Sequence, residues 1–503
     1  MFRRLSTLLL SIALLSFASC DKQDEVTPAT LPTTATPEPA ATQPAPSPVP
    51  SEEPATSTPE PTVTPEPDST ETIPTGYWEG VIASSGIEIL INVEFTEGED
   101  GLSGTIDIPQ QGAAGLPLEN ITLDGDQIHF EIAGVEAIFD GTVTANSIAG
   151  DFVQSPATGT FEMTAAERVE EETTDDFVDL PYRVEEVVWE IDDTTVTATL
   201  TQPEGDGPFP AVIMVAGSGP TDRDWNSPLL PGTNGSAALF ADALTREGYA
   251  TLRYDKRVSG PTAAANVENL MGMLSLQSHL DELAGGVEFL VDQEAVDPSR
   301  IFALANSEGA IHALNYQRQA TDRPLAGLIL AAPPGRTMKD AMRTQIEPQF
   351  AGSTDPKRML ALYDEAIERF SAGEPMDPSP DLPIGIQRLL LGLEAPVNLP
   401  FTREIFVVDP AEWLMGFDVP VLVLIGKKDI QIDWQLDGQR LEEAADGSPV
   451  VTFAYPDNAN HVFKYEERPA GDLTANDAVH YNSADRVLDE ESLSTILGWL
   501  AAG

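Results

Sequence analysis

Ile301-Phe302-Ala303-Leu304-Ala305-Asn306-Ser307-Glu308-Gly309-Ala310-Ile311-His312-Ala313 decides how this 503-residue chain is read. Residues 301–305 are a continuous apolar run of the kind buried on both faces of a parallel sheet, and helical spacing starts at Ala310. Only Asn306-Ser307-Glu308-Gly309 remains for the turn between them. A serine presented on so sharp a strand-to-helix turn needs tiny residues two before and two after it, because the two backbones nearly touch; the usual pattern is Gly-x-Ser-x-Gly. Ala305 stands at the first glycine position, one methyl larger, and Gly309 supplies the second. A plain serine helix cap followed by Glu308 is the bland alternative, and the buried strand in front of it argues for the turn.

Working outward, residues 210–215, 249–254, 325–330 and 420–425 repeat the apolar pattern, and amphipathic stretches at 236–247, 279–292 and 434–445 separate them. The spacing predicts an α/β domain over 182–503, a mostly parallel sheet covered by helices. Residues 336–417 have helical spacing and no comparable strand. They are expected to form a helical cap over the C-terminal edge of the sheet, where open α/β sheets take their ligands.

An ordinary serine hydroxyl is inert, so a base and an orienting acid must come from elsewhere, on such a sheet in the order Ser, acid, His. After 421–425 comes Gly426-Lys427-Lys428-Asp429-Ile430-Gln431-Ile432-Asp433, and after 450–455 comes Pro456-Asp457-Asn458-Ala459-Asn460-His461. Asp429 and His461 therefore follow late strands at the functional edge, with Asp433 as the second candidate acid. His312 is expected to pack or to face solvent on the helix after Ser307, His279 and His480 fit surface or helix positions, and His129 reads as a face residue of a strand.

These motifs, with Ala216-Gly217-Ser218-Gly219-Pro220-Thr221-Asp222-Arg223-Asp224, Arg253-Tyr254-Asp255-Lys256-Arg257 and Asn460-His461-Val462-Phe463, resemble the α/β-hydrolase family of bacterial carboxylesterases of the EstD type, close to serine aminopeptidase-like hydrolases. The resemblance covers 182–503 and implies carboxylic ester hydrolysis without a cofactor, the family's Ser, Asp and His falling on Ser307, Asp429 and His461. Backbone N–H groups of Glu308 and of Gly217 or Ser218 would form the oxyanion hole. Ala305, and Ala216 where related hydrolases often carry His, are departures that remove no catalytic group. Asp222, Arg223 and Asp224, and Asp255 with Arg257, are expected to brace the Gly217 loop through ion pairs. Two other readings use the same residues: a serine peptidase on this triad, and a tethered ligand-binding protein whose hydrolase domain is silent.

Residues 76–165 carry period-two alternation, as in Ile87-Glu88-Ile89-Leu90-Ile91-Asn92-Val93, broken by turn residues. About eight short antiparallel strands making a small β-barrel-like domain are expected, either a holder of an apolar ligand or a packed module. The Gly76-Tyr77-Trp78 opening is similar to that of lipocalin-like barrels, and Asp107-Ile108-Pro109-Gln110-Gln111-Gly112 resembles the β-rich domain that precedes many such hydrolases. An acidic stretch at 166–181 links the two domains. Residues 21–75 hold 14 of the 42 prolines and no aromatic residue, so nothing there repays the entropy of ordering and a disordered tether is expected. Residues 1–20 read as a signal peptide, with Arg3 and Arg4 ahead of a ten-residue apolar stretch too short to span a bilayer. Small residues before Cys20, the chain's single cysteine, resemble a lipobox, although Phe17 stands where Leu is usual. Lipid anchoring outside the cytoplasm is the expectation, with membrane contact only through that anchor and plain secretion as the alternative.

Charge narrows the partners. Against 27 Lys+Arg stand 82 Asp+Glu, a net −55 that repels nucleic acids and disfavours strongly anionic substrates. One cysteine excludes an intrachain disulfide, and five histidines, none close to another in sequence, argue against a metal site. A small-molecule ester remains the expected partner.

Overall fold

The computed structural model describes residues 74–84, 87–98, 101–108, 113–132, 137–154, 157–166, 180–227, 230, 232–319 and 322–502. The signal segment with Cys20, the tether through residue 73 and linker residues 167–179 lie outside them.

The alternating N-terminal segment forms strands β1 (Gly76–Ser84), β2 (Ile87–Gly98), β3 (Gly101–Ile108), β4 (Ala113–Asp124), β5 (Gln127–Ile132), β6 (Ala137–Val143), β7 (Ser147–Gln154) and β8 (Ala157–Ala166), each antiparallel to the next. β1 also pairs with β8, Tyr77 opposite Ala166, so the sheet closes and no edge is left to pair with another chain. Alternate residues point inward, among them Ile91, Val93 and Phe95 on β2 and Ile128, Phe130 and Ile132 on β5. Phe130 stacks on Phe139 at 4.6 Å and meets Phe95 and Phe161 edge-on at 5.5 and 5.9 Å. Gly141 makes room for this cluster, since a Cβ there would lie 2.7 Å from Phe161 Cζ. Aromatic rings fill the barrel interior, which favours the packed-module expectation over a ligand container. His129 lies outside the core, with Nδ1 2.6 Å from Asp140 Oδ1.

The second domain is an eight-stranded sheet of β9 (Tyr182–Ile191), β10 (Thr194–Pro203), β11 (Phe209–Val215), β12 (Ala250–Tyr254), β13 (Val296–Asn306), β14 (Gly327–Ala331), β15 (Val421–Leu424) and β16 (Val451–Ala454). Its order is β16-β15-β14-β13-β11-β12-β10-β9. β11 to β16 run parallel, and β10 is antiparallel to both β9 and β12. The hairpin β9–β10 is not anticipated from the sequence. β9 is half exposed along its length and β10 is threonine-rich, so neither shows the apolar run of a doubly buried strand.

Between β14 and β15 the chain leaves the sheet and forms helices Met338–Ile346, Pro356–Ser371, Ile384–Leu393, Leu399–Ile405 and Pro410–Leu414. This is the expected cap, and it has its own core around Met342, Phe350, Tyr363, Phe370, Leu390 and Phe406. Asp355 caps the second of these helices by accepting from Arg358 N, with Pro356 at the first helical position where no donor is lost. Ile311, on the helix that follows Ser307, belongs to the cap's core and docks the cap over the serine turn.

Candidate active site

β13 delivers Ser307 and the helix Glu308–Gln319 leaves at once, so Ser307 takes the left-handed conformation with φ +53°. A non-glycine residue there is strained, and the strain is held by its N–H donating to Ala331 O at 2.8 Å at the end of β14. The close approach that demands small residues is visible at Gly309, where a Cβ would lie 2.6 Å from Val215 O and 2.7 Å from Ala216 O at the end of β11. Ala305 pairs with Val215 inside the sheet, fully buried.

Asp429 and His461 come together from the loops after β15 and β16. Asp429 Oδ1 accepts from the N–H groups of Gln431 and Ile432 at 2.7 and 2.9 Å, a local turn that leaves Oδ2 to accept from His461 Nδ1 at 2.9 Å. Both side chains are buried. The histidine loop is shaped by Asn460, whose Oδ1 accepts from Val462 N and Lys464 N, and the Tyr481 ring lies nearly parallel to His461 at 6.4 Å. Asp433 instead accepts from Gln435 N and Leu436 N at the entry to helix Leu436–Ala444. It is a helix-entry residue, and Asp429 is the carboxylate on the histidine.

The serine turn meets the histidine loop through Asn306, whose Nδ2 donates to His461 O at 3.2 Å. Among the described residues no hydrogen bond joins Ser307 Oγ to His461. Gly217 packs directly on the turn, since a Cβ there would sit 3.2 Å from Ser307 Cβ and from Asn306 Oδ1. Glu308 opens its helix, so its N–H has no intrahelical acceptor and lies at the positive end of the helix dipole. A mostly apolar pocket reaches from Gly219 and Glu308 up to Leu393, Phe401 and Phe406 of the cap.

The bracing ions differ from expectation. Asp255 pairs with Arg223, at 2.9 Å to Nε and 2.7 Å to Nη2, and not with Arg257. Arg257 turns inward to Glu282, with Nε 3.1 Å from Oε1. Arg253 binds Asp224, and Asp222 accepts from Asp224 N and Asn226 N within the loop. Of its two expected places, surface or helix, His279 takes the helix. It is buried on helix Leu276–Val291, 2.9 Å from Glu282, and its ring lies 4.5 Å from that of His312, so two histidines distant in sequence form a pair in space. His312 is buried as well and pairs with Glu308 at 3.3 Å. Burial and the neighbouring His279 push its pKa down to about 4, which keeps the imidazole neutral near pH 7.

Sequence reasoning missed the side chains of Lys256 and Glu308. Lys256 Nζ donates to Gly217 O, to Gly219 O at 3.2 Å and to Glu308 Oε1 at 3.4 Å. The signal was the charged Asp255-Lys256-Arg257 directly behind the fully buried strand β12, where charges are enclosed and must pair. Among the described residues no cluster of three or more His, Cys, Asp or Glu is arranged to hold a metal, and no helix is long and apolar enough to cross a membrane.

No family model matches the chain. It is 26% identical over 292 residues to Esterase EstD of Thermotoga maritima, which is 56% of this chain and 62% of that protein, so it spans less than two thirds of that relative's length. Similar solved structures include an esterase of Pyrococcus furiosus, 16% identical with TM-score 0.40 over 65% of this chain and 94% of that one. A bromoperoxidase of Bacillus anthracis is 17% identical with TM-score 0.37, over 63% and 100% respectively. The similarity in sequence to an esterase thus stands beside a mostly parallel sheet with a strained serine between β13 and its helix.

Proposed function

We propose that the protein is a serine hydrolase that cleaves small-molecule carboxylic esters through an acyl-enzyme. The observation that carries this reading is the buried Asp429–His461 hydrogen bond of 2.9 Å on the loop tied by Asn306 to the strained Ser307 turn. In the proposed reaction His461 takes the Ser307 proton as Oγ attacks the ester carbonyl, and Asp429 holds the imidazole's tautomer and stabilises the imidazolium. The tetrahedral oxyanion is held by backbone N–H groups of Glu308 and of the Gly217-Ser218 segment. His461 returns the proton to the departing alcohol, and water repeats the sequence on the acyl-enzyme to release the acid. A net charge of −55 suits an uncharged ester better than a strongly anionic substrate. Cys20 is proposed as the lipid-bearing residue that anchors this body outside the cytoplasm. Labelling with a fatty-acid analogue tests it, and a wild-type protein that takes up no label counts against it.

The decisive experiment is turnover of short p-nitrophenyl esters by the full chain, with fluorophosphonate labelling and peptide mapping. Label is expected on Ser307, and Ser307→Ala lowers kcat at least about a thousandfold, the scale of losing a triad member. Undiminished turnover in that variant removes Ser307 from the role.

A further inference from the structure

Oxyanion-hole donors of the backbone have no side chain of their own to aim them, so something on the far side of the peptide must. In a planar trans peptide the carbonyl and the following N–H point in opposite directions. The carbonyl of Gly217 shares its peptide with the N–H of Ser218, and that carbonyl accepts from Lys256 Nζ. Holding the oxygen on the Lys256 side therefore turns the Ser218 N–H away from Lys256. The Gly217 side of the same segment lies on Ser307, 3.2 Å from a Cβ built at Gly217 to Ser307 Cβ.

The ammonium has three N–H groups and three acceptors: Gly217 O, Gly219 O at 3.2 Å and Glu308 Oε1 at 3.4 Å. No N–H is left over to bind a substrate. Lys256 and Glu308 are only 4% and 3% exposed. A buried pair of this kind adds little to stability compared with an apolar pair of the same size, so stability alone does not account for it. Glu308 is also the residue whose own N–H is the other candidate donor. One buried ion pair thus ties together the two backbone segments that must face the same oxygen atom. Burial alone would raise the Glu308 carboxyl, but the Lys256 charge and the His312 hydrogen bond outweigh it and hold the group well below the usual carboxylate range.

We propose that Lys256 is a positioning residue of the oxyanion hole: it clamps the Gly217 and Gly219 carbonyls, aims the Ser218 N–H at the reacting carbonyl and, through Glu308, locks that donor against the first turn of the serine's helix. This assigns Ser218, not Gly217, as the loop's donor. It rests on the serine-hydrolase reading above.

The test uses the full chain with Lys256→Met and the double variant Lys256→Met/Glu308→Gln. The double variant removes both charges, so no unpaired carboxylate is left buried, and the Glu308 N–H stays. For p-nitrophenyl butyrate, kcat in the double variant is expected to fall about a hundredfold, the scale of losing one oxyanion donor, with KM changed less than about threefold. Hydrogen exchange at the Ser218 amide speeds at least about tenfold while the sheet strands keep wild-type protection. A folded double variant with kcat within about threefold of wild type, or one that loses kcat with Ser218 exchange unchanged, overturns the proposal. A wild-type protein without ester turnover or Ser307 labelling overturns the hydrolase reading instead, and Ser218 exchange still decides whether Lys256 holds the loop.

Discussion

Asn306 Nδ2 donates to the backbone oxygen of His461 at 3.2 Å across 155 residues of sequence, and the same amide lies 3.4 Å from Ala331 O. The residue before the serine thus ties the serine turn to the histidine loop through one buried amide. Asn306→Ala is expected to lower kcat about tenfold with little change in KM, less than the roughly hundredfold of a full 1 Å misplacement. It should also cost about 1–2 kcal/mol of stability. Steady-state kinetics beside thermal denaturation checks it, and wild-type kcat in the variant removes Asn306 from this role.

Asp429→Asn is expected to cost about ten-thousandfold in kcat, because an amide supports the wrong imidazole tautomer and leaves the imidazolium without its charge partner. Asp433→Asn spares most turnover and costs about 1 kcal/mol or less, since it only weakens the entry to helix Leu436–Ala444. Kinetics on both folded variants decide between them, and a reversed order moves the acid to Asp433.

Gly309→Ala puts a methyl 2.6 Å from Val215 O and 2.7 Å from Ala216 O, two backbone atoms that cannot yield without moving β11 from the serine's helix. A loss of roughly 3 kcal/mol is expected. A melting temperature equal to wild type would show that the helix can shift without cost.

Acid should destabilise the α/β domain in two windows. Burial raises the Glu282 carboxyl, but His279 and Arg257 outweigh it and bring the group down from 4.5 to about 2. Its folded pKa is depressed, so its stabilisation is full above pH 4.5 and is lost as pH falls toward 2. His312, lowered from 6.5 to about 4, binds its proton less readily folded than unfolded, so stability is lost as pH falls from 6.5 to 4. Asp222 opposes this: burial raises it from 3.8 to about 6 against the Asn226 hydrogen bonds, and it gains stability as pH falls between those values. Melting temperatures at pH 7, 5 and 3 should decline, and Glu282→Gln should flatten the decline below pH 4.5. Equal stability at pH 7 and pH 3 contradicts the assignment.

Phe130→Ala removes the ring shared by Phe95, Phe139 and Phe161, and should cost about 3–5 kcal/mol in the barrel. The barrel's apolar core is separate from that of the sheet, so kcat should stay within about twofold at a temperature where the barrel variant remains folded. Loss of ester turnover under those conditions would show that the barrel takes part in the site.

What the sequence determined by itself is what local pattern and backbone geometry dictate. Period-two alternation specifies the barrel strands, and continuous apolar runs specify the strands buried on both faces. A serine between a strand and a helix, with Ala305 and Gly309 around it, specifies the turn, and loops after late strands specify Asp429 and His461. Strands without such a run, β9 and β10, left no mark. What only the tertiary structure decided is which buried charge meets which. Arg223 and not Arg257 takes Asp255, Arg257 takes Glu282, and His279 comes against His312, although these partners lie 25 to 33 residues apart. Their pairing depends on how the helices Leu276–Val291 and Glu308–Gln319 pack on the sheet. The same holds for Lys256, whose neighbours in sequence are charged residues and whose partners in space are two backbone carbonyls and Glu308. Hydrophobic periodicity fixes where an element lies, whereas a buried charge takes its partner from whatever the packed elements bring within reach, because only there does the loss of water leave it no other option.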